Sequence, residues 1–183
     1  KNKIDINQDE KDKIGICFRN DKEEDLTKLK IKEEISKIKS TRSEIIAELS
    51  AYIRNNGLIN DDKITLNTEN RFLVERVNYF ITSITDIIPK IEIIENLNFS
   101  KRELYQVIID NNVQGLLKDL GIIDEENNYL PTVPTYIVGA NEEIRAYLRG
   151  VFFASGSISD PKISRYHMEI LVTEPEEAVF VQK

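Results

Sequence analysis

Two aspartates stand at matching places in this chain: Asp61 lies four residues beyond Gly57, and Asp160 four residues beyond Gly156. Carboxylate pairs are what hard divalent cations need for hydrolytic or phosphoryl chemistry, so such chemistry would be sought there first. Their surroundings point elsewhere. Asp61 sits in Asn60-Asp-Asp62 and Asp160 directly precedes Pro161, and both are ordinary turn sequences. Glu44, Glu142 and Glu143 fall in the first turns of expected helices, where carboxylates complement the helix dipole. His167 is the only histidine, so neither a histidine metal cluster nor a histidine relay can be assembled. The chain has no Gly-rich phosphate loop and no serine nucleophile elbow. These residues assign no catalytic group, no metal ligand and no cofactor.

The elements that position these residues are repeated. Ala47-Glu-Leu-Ser-Ala-Tyr-Ile-Arg-Asn-Asn-Gly-Leu-Ile59 aligns with Ala146-Tyr-Leu-Arg-Gly-Val-Phe-Phe-Ala-Ser-Gly-Ser-Ile158, placing Gly57 and Gly156 at equivalent positions 99 residues apart. That spacing is too long for a solenoid unit and suggests two halves of one pseudo-symmetric domain. Small residues recur every fourth position: Ala47 and Ala51 in the first copy, Ala146, Gly150 and Ala154 in the second. Residues four apart share a helical face, and small side chains there let two helix backbones approach. A helix packed only on its own sheet is the simpler alternative. Repetition of the pattern favours two helices packed on each other across a pseudo-two-fold axis. Tyr52, Phe152 and Phe153 read as core, while Arg145 and Arg149 are expected to pair with acids such as Glu48.

Around that pair the chain reads as alternating helices and strands. A helix is expected over 24–39, with Ser40, Thr41 and Ser43 as possible caps for the first repeated helix over 43–55. Alternation of Ile64 and Leu66 against Lys63, Thr65 and Asn67 predicts a half-buried strand over 63–68. A helix over 69–84, strands over 90–95 and 103–109, and a helix over 113–120 that stops at Gly121 complete the first half. The second half restarts with Asn141 as a cap and a helix to 154, then a turn at Asp160-Pro161, a strand over 166–172 and a helix from Thr173. The division is an unassigned polar segment 1–25, which includes the apolar run 14–18, a first half 26–122, a linker 123–140 and an incomplete second half 141–183. Met168 is the only methionine and the chain opens on Lys1, so a fragment is expected.

Composition sets limits. Hydrophobic residues make up 40% of the chain, enough for a core, and no stretch has the length of a membrane span or the form of a signal region. The single Cys17 allows no internal disulfide and suits a reducing cytoplasm. A net charge of −7 opposes a simple nucleic-acid reading, because DNA affinity rests on surplus Lys and Arg. DNA contact would need a local patch or a part of the molecule outside this chain.

The segment Leu148-Arg-Gly-Val-Phe-Phe-Ala-Ser-Gly156 resembles the LAGLIDADG motif of homing endonucleases, and Leu49-Ser-Ala-Tyr-Ile-Arg-Asn-Asn-Gly57 is its weaker twin. The longer signature Arg145-Ala-Tyr-Leu-Arg-Gly-Val-Phe-Phe-Ala-Ser-Gly-Ser-Ile-Ser-Asp-Pro161, with Tyr166-His-Met-Glu-Ile170, resembles the WhiA family of sporulation transcription regulators. Lys32-Glu-Glu-Ile-Ser-Lys-Ile38 is similar to that family's opening helix. The resemblance runs over 26–183. It implies an α+β, LAGLIDADG homing-endonuclease-like fold: a pseudo-two-fold αββαββα repeat with its second copy truncated. It also implies transcription regulation linked to sporulation and cell division, in the cytoplasm at the nucleoid. The implied partner is double-stranded DNA, bound mainly through a C-terminal helix-turn-helix absent from this chain. Proteins of the transcription machinery are further implied partners, and no membrane is.

In cleaving LAGLIDADG enzymes an acid near the end of each central helix holds the metals; the matching positions here are Asn56 and Ser155. Both are neutral, so the resemblance implies a scaffold without catalysis. By the same analogy, strand side chains face the major groove. Lys63, Thr65, Asn67, Lys101 and Arg102 are then the DNA-facing residues of the first half, with Lys162, Arg165 and His167 in the second. Two alternatives stay open. One is a homing endonuclease that cleaves double-stranded DNA. The other is a protein-interaction or ligand-sensing module on the same fold, favoured by the acidic charge.

Overall fold

The computed structural model describes residues 21–60, 62–94, 103–158, 168–172 and 174–182. The apolar run 14–18, Asp61 and Asp160 lie outside the described residues, as do Lys101, Arg102, Lys162, Arg165 and His167. The first half runs α1 (Asp21–Ser36), α2 (Arg42–Asn56), β1 (Gly57–Asn60), β2 (Lys63–Thr68), α3 (Arg71–Ile84), β3 (Lys90–Ile94), β4 (Leu104–Ile109) and α4 (Val113–Asp119). The second runs α5 (Asn141–Ser155), β5 (Gly156–Ile158), β6 (Met168–Ile170) and α6 (Pro175–Val181). After the opening helix the order is αββαββα, and the second half repeats its beginning.

Local chemistry starts and stops the helices. Of the three possible caps before α2, Thr41 serves: its hydroxyl accepts from the Glu44 amide while its own amide donates to the Glu44 carboxylate at 2.6 Å. The Asn70 side chain accepts from the Phe72 and Leu73 amides and opens α3. At α5 the structure departs from expectation. Asn141 is the first helical residue and Ala140 occupies the cap position, where the Glu143 carboxylate reaches back to its amide at 2.9 Å. Glu143 thus makes one half of a capping box by taking up the Ala140 amide, while alanine has no side chain to accept from the first-turn amides. Gly121 ends α4 with φ +61°, and a Cβ there would press on Pro134 and Ile137 at 3.0–3.1 Å.

The four-stranded sheet has the order β1-β2-β4-β3, every neighbour antiparallel. Strand alternation puts Ile64, Leu66, Val107 and Ile109 under α2, α3 and α4, where all four are buried. The opposite face carries Leu58, Thr65, Ile108 and Lys90 in one cross-strand row, and Asn67, Gln106 and Glu92 in the next. β5 and β6 pair antiparallel as the start of the second sheet.

The two repeated helices pack directly on each other. Ala47, Ala51 and Ala146 have no exposed surface, and a Cβ on Gly150 would lie 2.3 Å from the Glu48 carbonyl oxygen. The backbones touch at that point. Segment 123–140, expected as a linker, is held down: Val133, Ile137 and Val138 join Ala47, Ala51, Tyr147 and Val151 in a second hydrophobic core. Arg54 donates to the Gly121 carbonyl at 2.8 Å and to the Leu130 carbonyl, fastening the segment to α2. Its turn-rich composition hid three core side chains.

Candidate nucleic-acid interface

Asn56 and Ser155 are the last residues of α2 and α5, and each is followed at once by a strand-opening glycine. The Asn56 side-chain amide donates to the Tyr52 hydroxyl at 2.8 Å and to the Asn67 carbonyl at 3.2 Å. Burial pushes the Tyr52 phenol far above its ordinary value, and Asn56 and Thr68 bond its hydroxyl. Ser155 turns back to the Val151 carbonyl at 3.4 Å. Asn56 therefore ties its helix end to β2, whereas Ser155 bonds back within its own helix. Among the described residues no group of three or more His, Cys, Asp or Glu is placed to hold a metal ion.

Of the expected DNA-facing residues, Lys63, Thr65 and Asn67 share the outer face of β2. They differ in access. Lys63 and Asn67 are half-buried at the surface, and the Asn67 side-chain oxygen accepts from Gln106 at 2.9 Å. Thr65 is only 9% exposed, flanked in register by Leu58 and Ile108, and so presents the least surface of the three. The middle of a four-stranded sheet encloses a short side chain even on its outer face.

Charge on this face balances. Lys63 and Lys90 stand with Glu92 and Asp110, and Lys90 is hydrogen-bonded to Asp110. That bond holds the Lys90 ammonium above its ordinary value and the Asp110 carboxyl below its own, so each cancels the other. Leu58 is 62% exposed beside them. The described part of the sheet surface is thus neutral and partly apolar, unlike the acidic chain as a whole.

Beneath the helix pair lies an ion network that holds the two halves in register. Arg76 of α3 donates to both Glu48 oxygens at 2.6 and 2.8 Å, and Arg149 of α5 donates to the same carboxylate at 3.1 Å. Arg149 meets the acid expected for it; Arg145 is exposed instead. Arg76 also donates to the carbonyls of Ser36 and Ile38, each at 2.8 Å, and both arginines reach the Ser40 hydroxyl at 3.2 Å. Lys32 of α1 donates to the Phe153 carbonyl at 3.1 Å, placing a cation on the last turn of α5.

Arg76 was not singled out from the sequence, although a signal existed. It falls between Leu73, Val77 and Phe80 on the apolar face of α3, and a charge at a core position implies a buried partner. Gln106, Lys90 and Glu92 were also missed on the outer face, because the apolar run of β4 and the short β3 leave strand register open.

Comparison with known proteins agrees with this geometry. Residues 42–123 match the WhiA N-terminal LAGLIDADG-like domain, and residues 144–183 match the WhiA LAGLIDADG-like domain. A relative from Pediococcus pentosaceus, named "Probable cell division protein WhiA", is 34% identical over 76% of this chain and 47% of its own length. One of the same name from Lactobacillus johnsonii is 31% identical over 85% of this chain and 48% of its own. The chain spans about half the length of the curated relatives it matches. The crystal structure of the N-terminal LAGLIDADG domain of DUF199/WhiA aligns at TM-score 0.62 and 20% identity, over 84% of this chain and 70% of that one. The full-length DUF199/WhiA from Thermatoga maritima aligns at 0.60 and 21%, over 83% and 46%. At those identities the likeness concerns the fold.

Proposed function

Since the chain belongs to the WhiA family of LAGLIDADG-like proteins, we propose that it is a non-catalytic scaffold of a DNA-associated transcription regulator. The observation that carries this reading is the state of the two helix ends. Asn56 and Ser155 are neutral and committed to local hydrogen bonds, while the small-residue helix interface around them is intact. Architecture is kept where metal ligands are lost. Cleavage by two-metal chemistry needs carboxylates at those ends, so the homing-endonuclease reading is set aside.

In this reading Lys63, Thr65 and Asn67, with Lys101, Arg102, Lys162, Arg165 and His167, face the duplex, Thr65 with the least exposed surface among the β2 residues. The described part of the sheet is neutral, so the affinity of this chain rests on the few cations around it and is weak, and the longer family protein binds DNA more tightly. The regulator acts at the nucleoid, in sporulation and cell division, together with proteins of the transcription machinery. Gel-shift titrations of this chain and of a full-length relative on the same duplex test the division of labour. Much tighter, salt-sensitive binding by the longer protein is expected, and equal affinity would refute it. Incubation of plasmid DNA with Mg²⁺ or Mn²⁺ should yield no cleavage.

A further inference from the structure

The corner between α1 and α2 carries a concentration of positive charge that the outer sheet does not need. A cleft of about 470 Å³ opens there, lined by Lys37, Ile38, Lys39, Ser40, Arg76 and Tyr79, with no acid among its lining residues. Arg76 lines its floor and is paired with the Glu48 carboxylate, and Lys37 and Lys39 carry the positive charge at its mouth.

Donors are available to receive one. All five N–H groups of Arg76 are spent on Glu48, Ser36, Ile38 and Ser40, so it contributes charge alone. The Ser40 oxygen accepts from both arginines, which leaves its own O–H to donate outward. Lys39 is exposed and makes no ion pair among the described residues, and Lys37 is paired with the half-buried Glu33 at 2.8 Å and lies over the Phe72 ring. Beside these donors stand two apolar surfaces, Tyr79 at 64% exposure and Ile38 at 45%.

We infer that this cleft binds a small phosphomonoester, its phosphate held by Ser40, Lys37 and Lys39 and its organic part lying against Tyr79 and Ile38. The 15 residues of α2 separate the cleft from the Asn56 end by about 22 Å. It is therefore a second site, independent of the sheet surface. A ligand there would touch α1, the α1–α2 corner and, through Ser40, the network that reaches α5.

Isothermal titration calorimetry on the chain tests the assignment with inorganic phosphate, adenosine monophosphate and adenosine as probes. Both phosphate probes should bind saturably and raise the melting temperature with concentration, while adenosine does neither. Lys39→Glu, a change at an exposed loop side chain, should weaken both by about tenfold or more. Tyr79→Ala should weaken adenosine monophosphate alone, and Lys63→Glu on the distant sheet should change neither. Absence of binding by adenosine monophosphate up to about 10 mM, or unaltered binding by Lys39→Glu, would overturn the site. Competition between a short DNA duplex and adenosine monophosphate, lost in Lys39→Glu, would make the cleft a nucleic-acid contact and overturn the small-ligand assignment.

Discussion

Replacing Asn56 by aspartate restores the charge of a cleaving enzyme and removes a donor that the fold uses. The carboxylate cannot donate to the Tyr52 hydroxyl or the Asn67 carbonyl, so Asn56→Asp should cost about 1–3 kcal/mol in urea unfolding without producing cleavage. Glu48 is more demanding. Its removal leaves Arg76 and Arg149 buried without their acid, and Glu48→Ala should destabilise by about 3–5 kcal/mol, read by the same unfolding curve. The sequence showed that Arg149 needed an acid and that Glu48 was near in the repeat. It did not show that Arg76 shares that acid, because the geometry joins three helices far apart in the chain.

Among the elements, α2 depends on both its beginning and its middle. Thr41→Ala removes a cap and should cost about 1 kcal/mol in thermal unfolding. The Thr41 amide that Glu44 accepts holds its carboxyl below the ordinary 4.5. A lowered carboxyl stabilises the fold above its unfolded pKa and loses that contribution as pH falls through the folded value. Glu44→Gln should therefore be less stable than the parent at neutral pH, and the difference should close as pH falls through the lowered folded value of Glu44. At mid-helix, Gly150→Ala sets a methyl against the Glu48 carbonyl, an obstacle of backbone that cannot swing aside, and should cost at least about 1–3 kcal/mol. Element order was legible because helix and strand periods alternate clearly from Arg42 to Asp119. The packed connector 123–140 was not, since Val133, Ile137 and Val138 are scattered among turn residues and follow no period.

For the whole molecule, the repeat at Gly57 and Gly156 was sufficient to read a pseudo-two-fold architecture, and the contact of α2 with α5 has that form. The candidate DNA surface was less legible. Side-chain alternation assigns Lys63, Thr65 and Asn67 to one face but is blind to neighbours, and Thr65, between Leu58 and Ile108 in register, is buried there. Alternation is equally blind to the pairing of Lys90 with Asp110, which neutralises that face. If Lys63 meets a phosphate, Lys63→Ala should lower the slope of log affinity against log salt by about one, measured by fluorescence anisotropy on a duplex. An unchanged slope would move the contact to the loops.

The meeting of Ala47 and Ala51 with Ala146 and Gly150 also has a consequence in time. The partner of the α2 face is synthesised about 100 residues after it, which at ~5–20 residues per second is a delay of several seconds on the ribosome. The first sheet and its helices can form within that interval, while the alanine face of α2 stays uncovered. Completion of the nascent fold is therefore gated by the arrival of α5, and a chain released early would carry a half-built interface open to a second copy of itself.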